Sequence, residues 1–259
     1  MLPEGLHIVQ HHPRADHPPV VIVHGQPDRS KNFARVLHLL TDLPVTAYDR
    51  RGYGKSLDAT PTALGFSDHA DDLIAIMGGT PSIVVGQSAG GTIAMMAATR
   101  APELFLALGV WEPPLTAWDW WAQGEAWDRT AEHAMFCDAE LLGETFNRLI
   151  LGDERWESLP ERTRDLLRAE GRQFRADMTC QLVKLFDLDD LTVPFLVGYG
   201  DQTPPFGQIA TSRLAERMGA EVFVGEGADH FAHTGSPAVW AELVRRTVAL
   251  AERNVSRHA

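Results

Sequence analysis

Short apolar runs alternate with amphipathic stretches along most of this chain. Val20-Val21-Ile22-Val23, Val45-Thr46-Ala47-Tyr48, Ile83-Val84-Val85, residues 104–111, Pro194-Phe195-Leu196-Val197 and residues 221–224 each read as a strand. A continuous apolar run of this length marks a strand covered on both faces. One further short strand fits at residues 6–10, ahead of Val20. Between these runs, helical spacing predicts helices over residues 32–40, 66–77, 209–218 and 237–253, with Ser67 as the N-cap of the second. In the last, Trp240, Leu243, Val244, Val248 and Ala251 share a face and Pro237 stands in the first turn. Strands alternating with helices imply an α/β domain built on a mainly parallel sheet flanked by helices. From residue 115 to 188 the pattern turns mostly helical, with no convincing strand. The expected organisation is a core made of residues 1–114 and 189–259, with a helical cap inserted at 115–188.

Composition narrows the classes of partner. A chain of 259 residues with 44% hydrophobic content can build a full core. The net charge of −12 opposes binding to nucleic acid or to an anionic membrane, both of which need a basic face. No apolar run is long enough to span a bilayer, and the first residues show no apolar signal core. Two cysteines, Cys137 and Cys180, make neither a disulfide framework nor a zinc site and read as free thiols. These features point to a cytoplasmic protein. His11, His12 and His17 lack a partner at ligand spacing, so no metal is expected there.

The candidate chemistry centres on Gly86-Gln87-Ser88-Ala89-Gly90, a G-x-S-x-G that follows a strand and opens a helix of small residues. Strand, sharp turn and helix are the context of a nucleophile elbow, with Ser88 as nucleophile. Side chains at Gly86 and Gly90 would collide across such a turn. The helix N-terminus directs the Ala89 N–H toward any oxyanion forming beside Ser88. A second donor is needed, and the Gln26 N–H in His24-Gly25-Gln26-Pro27 is placed to supply it. His24 ends a buried strand and reads as a structural histidine. Residues 49–56 hold two glycines among basic residues, but the spacing is not that of a phosphate loop, and a turn accounts for them. Three further groups leave strands on the same edge: Glu112, followed by Pro113-Pro114, then Asp201, then His230 with His233 as a rival base. The two prolines predict an extended backbone at Glu112. Residues 111–156 carry six of the seven tryptophans. Of these, Trp111, Trp118 and Trp121 are candidates to line a substrate pocket, with His233 beside them, and Trp120, Trp127 and Trp156 read equally well as cap core.

Taken together, His24-Gly25-Gln26-Pro27, the D-x-x-G-x-G-x-S of residues 49–56, the elbow, Gly198-x-x-Asp201 and Gly227-x-x-His230 resemble the α/β-hydrolase superfamily over almost the whole length. Within it the chain looks like small esterases or lactonases with a helical cap. The resemblance implies that Ser88 attacks, that His230 moves the proton, and that Ala89 and Gln26 hold the oxyanion. It leaves two acids open: Asp201, at the commoner position and preferred, and Glu112, at the position a minority of relatives use. The implied activity is hydrolysis of an ester or lactone of a hydrophobic small molecule through an acyl-enzyme, without cofactor or metal. Carbon–carbon bond hydrolysis, cofactor-free perhydrolysis and a non-catalytic ligand-binding role use the same scaffold. A dehalogenase or epoxide hydrolase is disfavoured, because those relatives carry Asp where Ser88 stands. The usual sheet begins with two strands where only one fits here. An apolar cap surface could support a homodimer, which nothing in the sequence forces.

Overall fold

The computed structural model describes residues 2, 4–12, 17–121, 136 and 138–258. Seven strands form one sheet: β1 (Ile8–His11), β2 (Val20–Val23), β3 (Val45–Tyr48), β4 (Ser82–Gln87), β5 (Phe105–Trp111), β6 (Phe195–Gly200) and β7 (Glu221–Gly225). Their order is β1-β3-β2-β4-β5-β6-β7, with β1 antiparallel to β3 and every other pairing parallel. A single strand therefore precedes Val20 among the described residues. All of β2 and β4 is buried, as their unbroken apolar sequences require.

The period-2 alternation of the strands divides the core between the two faces. Val21, Val23 and Val84 pack with α2 (Phe66–Met77), α3 (Ala89–Arg100) and α8 (Pro205–Met218). Val20, Ile22, Ile83 and Val85 pack with α1 (Ala34–Leu37) and α10 (Pro237–His258), through Val36, Leu37, Trp240 and Leu243. The helix expected over residues 32–40 is shorter than its pattern, a 3-10 turn at Ser30–Phe33 running into α1. Ser67 does not cap α2. The cap position is Gly65, at φ 154°, and the Ser67 hydroxyl accepts a hydrogen bond from Arg100 instead. The thiol of Cys180 packs close over Gly65, where any side chain would collide with it.

Between β5 and β6 the described residues hold no strand. They form α4 (Ala139–Leu151), α5 (Asp153–Glu157), α6 (Glu161–Ala169) and α7 (Gly171–Cys180), joined by a small core of Leu142, Phe174 and Met178. Trp127 and Cys137 lie outside the described residues. Trp156 is buried within this segment, flanked by the guanidinium groups of Arg148 and Arg168.

Buried polar contacts help dock the segment on the sheet edge, beside the apolar packing of Leu115, Trp118, Phe186 and Leu188 against the core. Asp177 accepts from Arg50 Nη1 at 2.8 Å, Tyr53 Oη at 2.9 Å and Gln173 Nε2 at 2.8 Å, and lies 3.2 Å from His69 Nε2. Both side chains of the Arg50–Asp177 pair are inaccessible to solvent. Burial alone would raise the Asp177 pKa, but Arg50 and His69 hold it well below the usual carboxylate range. Glu170 makes a second anchor, accepting from Arg29 Nη2 at 2.6 Å and from the Gly54 N–H at 2.8 Å.

Removing one partner of a buried ion pair leaves the other charge uncompensated. Asp177→Asn is expected to cost about 3–5 kcal/mol in urea unfolding at neutral pH. Asp71→Asn, which breaks the exposed pair with Arg100, should move the midpoint far less.

Candidate active site

Ser88 closes β4 and precedes α3 with φ 51° and ψ −128°, a conformation that side-chain residues avoid. The turn is held from both sides. The Ser88 N–H donates to Trp111 O at 2.8 Å, and the Ser88 carbonyl accepts from the Gly91 N–H at 2.7 Å. A methyl group at Gly86 would stand 2.5 Å from Gly91 Cα, and one at Gly90 would stand 2.5 Å from His24 O. Close packing of three backbone segments therefore dictates the glycines of the motif.

The two expected oxyanion donors flank Ser88. Ala89 is the first residue of α3, so its N–H is among those without an intrahelical acceptor. Gly25 packs so closely that a methyl there would stand 3.0 Å from Ser88 Cβ, which brings the His24–Gln26 turn against the serine. The Gln26 side chain donates to Met178 Sδ at 3.2 Å, tying this turn to α7. His24 is a satisfied structural group. Its Nδ1 contacts Gly25 O at 2.8 Å and its Nε2 accepts from the Arg50 N–H at 2.8 Å. Burial, reinforced by the Arg50 charge, lowers its pKa to about 3 and keeps it neutral.

Glu112, not Asp201, meets His230. Glu112 Oε2 accepts from His230 Nδ1 at 2.8 Å. Its other oxygen accepts from the Gly200 N–H at 3.0 Å and Thr203 Oγ1 at 2.6 Å. The Glu112 side chain is 6% exposed and that of His230 is 34% exposed. Burial would raise the Glu112 pKa, but the His230 contact with the Thr203 and Gly200 donors lowers it. Burial would lower the His230 pKa, and the Glu112 carboxylate outweighs that and raises it above 6.5. The preference for Asp201 is thus corrected. Asp201 is exposed, and its Oδ1 accepts from the Gly227 N–H at 2.8 Å and Gln202 Nε2 at 3.0 Å, bracing the loop that leads to His230. The extended backbone expected at Glu112 is also corrected, because its φ is 48°. Three hydrogen bonds to one carboxylate, and the Glu112 N–H to Gly198 O at 3.0 Å, hold that strained residue in place.

Two candidate pocket residues belong to the scaffold. Trp111 is fully buried beside Phe223, its indole N–H donating to Asp229 O at 3.3 Å. The alternation of β5 points it to the α10 face, away from the strand-exit edge. His233, in the short helix α9 (Ala232–Gly235), is buried, stacks on Phe33 at 4.6 Å and pairs with Asp28 at 3.1 Å. Burial would raise Asp28, but His233 pulls it down to about 2. This pair joins the His230 loop to the turn carrying Gln26. Trp118 and Trp121 are half-buried against the core, Trp118 beside Phe186 and Trp121 beside Trp120.

Sequence reasoning missed Gln87 and Thr203 as parts of the site. The Gln87 amide nitrogen lies 3.4 Å from His230 Nε2 and donates to His230 O at 3.3 Å. Its only signal was its place before Ser88 in the motif. Among the described residues, no three His, Cys, Asp or Glu side chains converge as metal ligands. No helix among them is long and apolar enough to cross a membrane.

Comparison with known proteins identifies the family and the fold. The sequence profile described as the Alpha/beta hydrolase family matches residues 20–243. The lipase LipV of Mycobacterium tuberculosis is 33% identical over 95 residues, a stretch spanning 36% of this chain and 36% of that protein. Among solved structures, one from a study of carboxylesterases of the thaumarchaeon Nitrososphaera gargenis superposes with a TM-score of 0.71 at 18% identity, covering 96% of both chains. The enol-lactonase from Burkholderia xenovorans LB400 gives 0.68 at 19% identity, over 94% of this chain and 96% of that one. A loop variant of a haloalkane dehalogenase from Bradyrhizobium elkanii gives 0.66 at 20% identity, over 97% and 95%. At these identities the structural matches establish the fold alone.

Because the Glu112 carboxylate raises the His230 pKa, its removal must lower it. In NMR titration of the imidazole, His230 is expected to titrate above 6.5, and Glu112→Gln to move that transition to lower pH. Asp201→Asn should leave it in place.

Proposed function

The chain belongs to the Alpha/beta hydrolase family, and from that premise we propose that it is a serine hydrolase cleaving a carboxylic ester or lactone through an acyl-enzyme. The observation that carries this reading is the half-buried Glu112–His230 contact on the same sheet edge as the strained Ser88 turn. A nucleophile, a base and an acid that orients the base are the elements of the triad arrangement.

In the proposed reaction Ser88 Oγ attacks the carbonyl carbon while His230 Nε2 accepts the hydroxyl proton. With Nδ1–H donated to Glu112, the Nε2 lone pair is the one left to act as base. Glu112 stabilises the imidazolium as it forms. The negative charge on the substrate oxygen falls to the N–H groups of Ala89 and Gln26, fixed beforehand by the α3 terminus and the His24–Gln26 turn. The tetrahedral adduct collapses, the carbon–oxygen bond breaks, and His230 gives its proton to the leaving alkoxide. Water then attacks the acyl-serine by the same proton route, releasing the carboxylic acid and free Ser88.

Residues 115–188 act in this reading as a cap, tied to the core by Asp177 and Glu170 and touching the oxyanion turn through Met178. The half-buried aromatic segment that follows Glu112 supports a hydrophobic small-molecule substrate. Ester chemistry is favoured over dehalogenation because the nucleophile position holds Ser88. The carboxylesterase and lactonase neighbours support the same choice only as analogies of fold.

A fluorophosphonate should add once to the protein, on Ser88 by peptide mapping, with no adduct on Ser88→Ala or His230→Ala. Folded protein that takes up no label would remove the serine-hydrolase reading in favour of ligand binding. On a panel of esters and lactones, Glu112→Gln should lower kcat by about 10²–10⁴ and Asp201→Asn by less than about tenfold.

A further inference from the structure

A cavity lies apart from Ser88, and none of Ser88, Gln26, Glu112 or His230 lines it. Its volume is about 520 Å³, within the roughly 300–1,000 Å³ typical of small-molecule sites. It opens where the sheet begins with one antiparallel strand. Residues His7, Val9 and His11 alternate onto one face of β1, and Val9 stands opposite Ala47 of β3. On the neighbouring strands that face is covered by α1 and α10. At this edge it stays half-open, walled by the residues around Ser30, by the turn at Gly54-Lys55 and by the start of α6.

The charge of the cavity contrasts with that of the chain. In a protein of net charge −12, Arg29, Lys31, Lys55 and Arg162 line it with one carboxylate, Asp49, and Arg29 is paired with Glu170 behind the wall, which leaves Lys31, Lys55 and Arg162 to face the space. That carboxylate is already engaged, accepting the Ser30 N–H at 2.7 Å and the Lys55 N–H at 2.8 Å. Among the described residues, neither Lys31, Lys55 nor Arg162 has an ion-pair partner. The cations belong to three separate segments, the Arg29–Lys31 turn, the turn after β3, and the first turn of α6, so their convergence is a product of the fold. Val9, Leu37, Ala47 and Leu166 supply an apolar side to the same space.

We propose that this cavity is a binding site for a phosphate monoester carrying a compact apolar group. A phosphate is close to a dianion at neutral pH and presents three acceptor oxygens to donors converging from different segments. The apolar lining accounts for an organic ester over the free ion. The site is independent of the reaction proposed at Ser88.

Calorimetric titration of the full chain with phenyl phosphate, inorganic phosphate and benzoate tests it. Phenyl phosphate should bind once, more tightly than either of the others, and weaken as salt rises. Lys55→Ala and Arg162→Ala, both at exposed positions, should each weaken it about tenfold while leaving ester turnover unchanged. Leu166→Ala should weaken phenyl phosphate and spare inorganic phosphate. Blocking Ser88 with a fluorophosphonate should leave the titration unchanged. The proposal is overturned by the absence of saturable phenyl phosphate binding, by binding indifferent to both Lys55→Ala and Arg162→Ala, by benzoate binding equally well, or by loss of binding when Ser88 is blocked.

Discussion

The contact between Glu112 and His230 is the constraint around which the strand-exit edge beside Ser88 is built. A carboxylate buried to this degree is costly unless its lone pairs are used, and here three donors from two strand ends use them. Those donors converge only because β5, β6 and β7 are consecutive in the sheet and parallel. Glu112 leaves β5, Gly200 and Thr203 leave β6, and His230 follows β7. Close packing of the last two strand exits, where a methyl at Gly200 would meet the Asp229 nitrogen at 2.9 Å, sets the distance at which the imidazole arrives. Asp201, passed over as the acid, holds the Gly227 turn and so sustains the same contact from outside.

A second constraint acts at the other side of Ser88. Arg50 is fully buried, and its guanidinium binds the carbonyls of His24 and Gly25 as well as Asp177. One side chain thus shapes the turn beside Ser88 and anchors the helical segment above it. Such pairs contribute little net stability compared with apolar packing, but they admit few alternative arrangements. The docking position of α7, and with it the contact of Met178 on Gln26, follows from the geometry of that network. His233 and Asp28 do the equivalent for the His230 loop, linking it to the same turn. The two halves of the candidate site are therefore braced against one another by polar pairs outside Ser88, Glu112 and His230.

How much of this was visible in the sequence depended on the range of the interaction responsible. The strands β2 and β4 and the elbow were visible because short-range sterics and continuous burial dictate them. Glycines at 86 and 90 have no substitute in that turn. Their exclusion of side chains was readable before any contact was known. The choice between Asp201 and Glu112 was not readable, because both leave strands on the same edge and differ only in which one the His230 loop reaches. Pro113-Pro114 pointed to an extended Glu112, a local preference overridden by the carboxylate's tertiary bonds. Trp111 and His233 were misassigned for a related reason: an aromatic or imidazole near a motif is a pocket residue or a packing residue according to the direction it faces.

The sequence by itself determined the strand–helix alternation, the Ser88 turn and the place of His230 on the strand-exit edge, since each follows from side-chain size, backbone sterics or hydrophobic period over a few residues. Only the tertiary structure decided that Glu112 meets the imidazole of His230, that Arg50 and Asp177 fasten the helical segment, and that Lys31, Lys55 and Arg162 share one cavity. Those residues are far apart along the chain, and electrostatic contacts depend on distances that only the packed sheet and helices define.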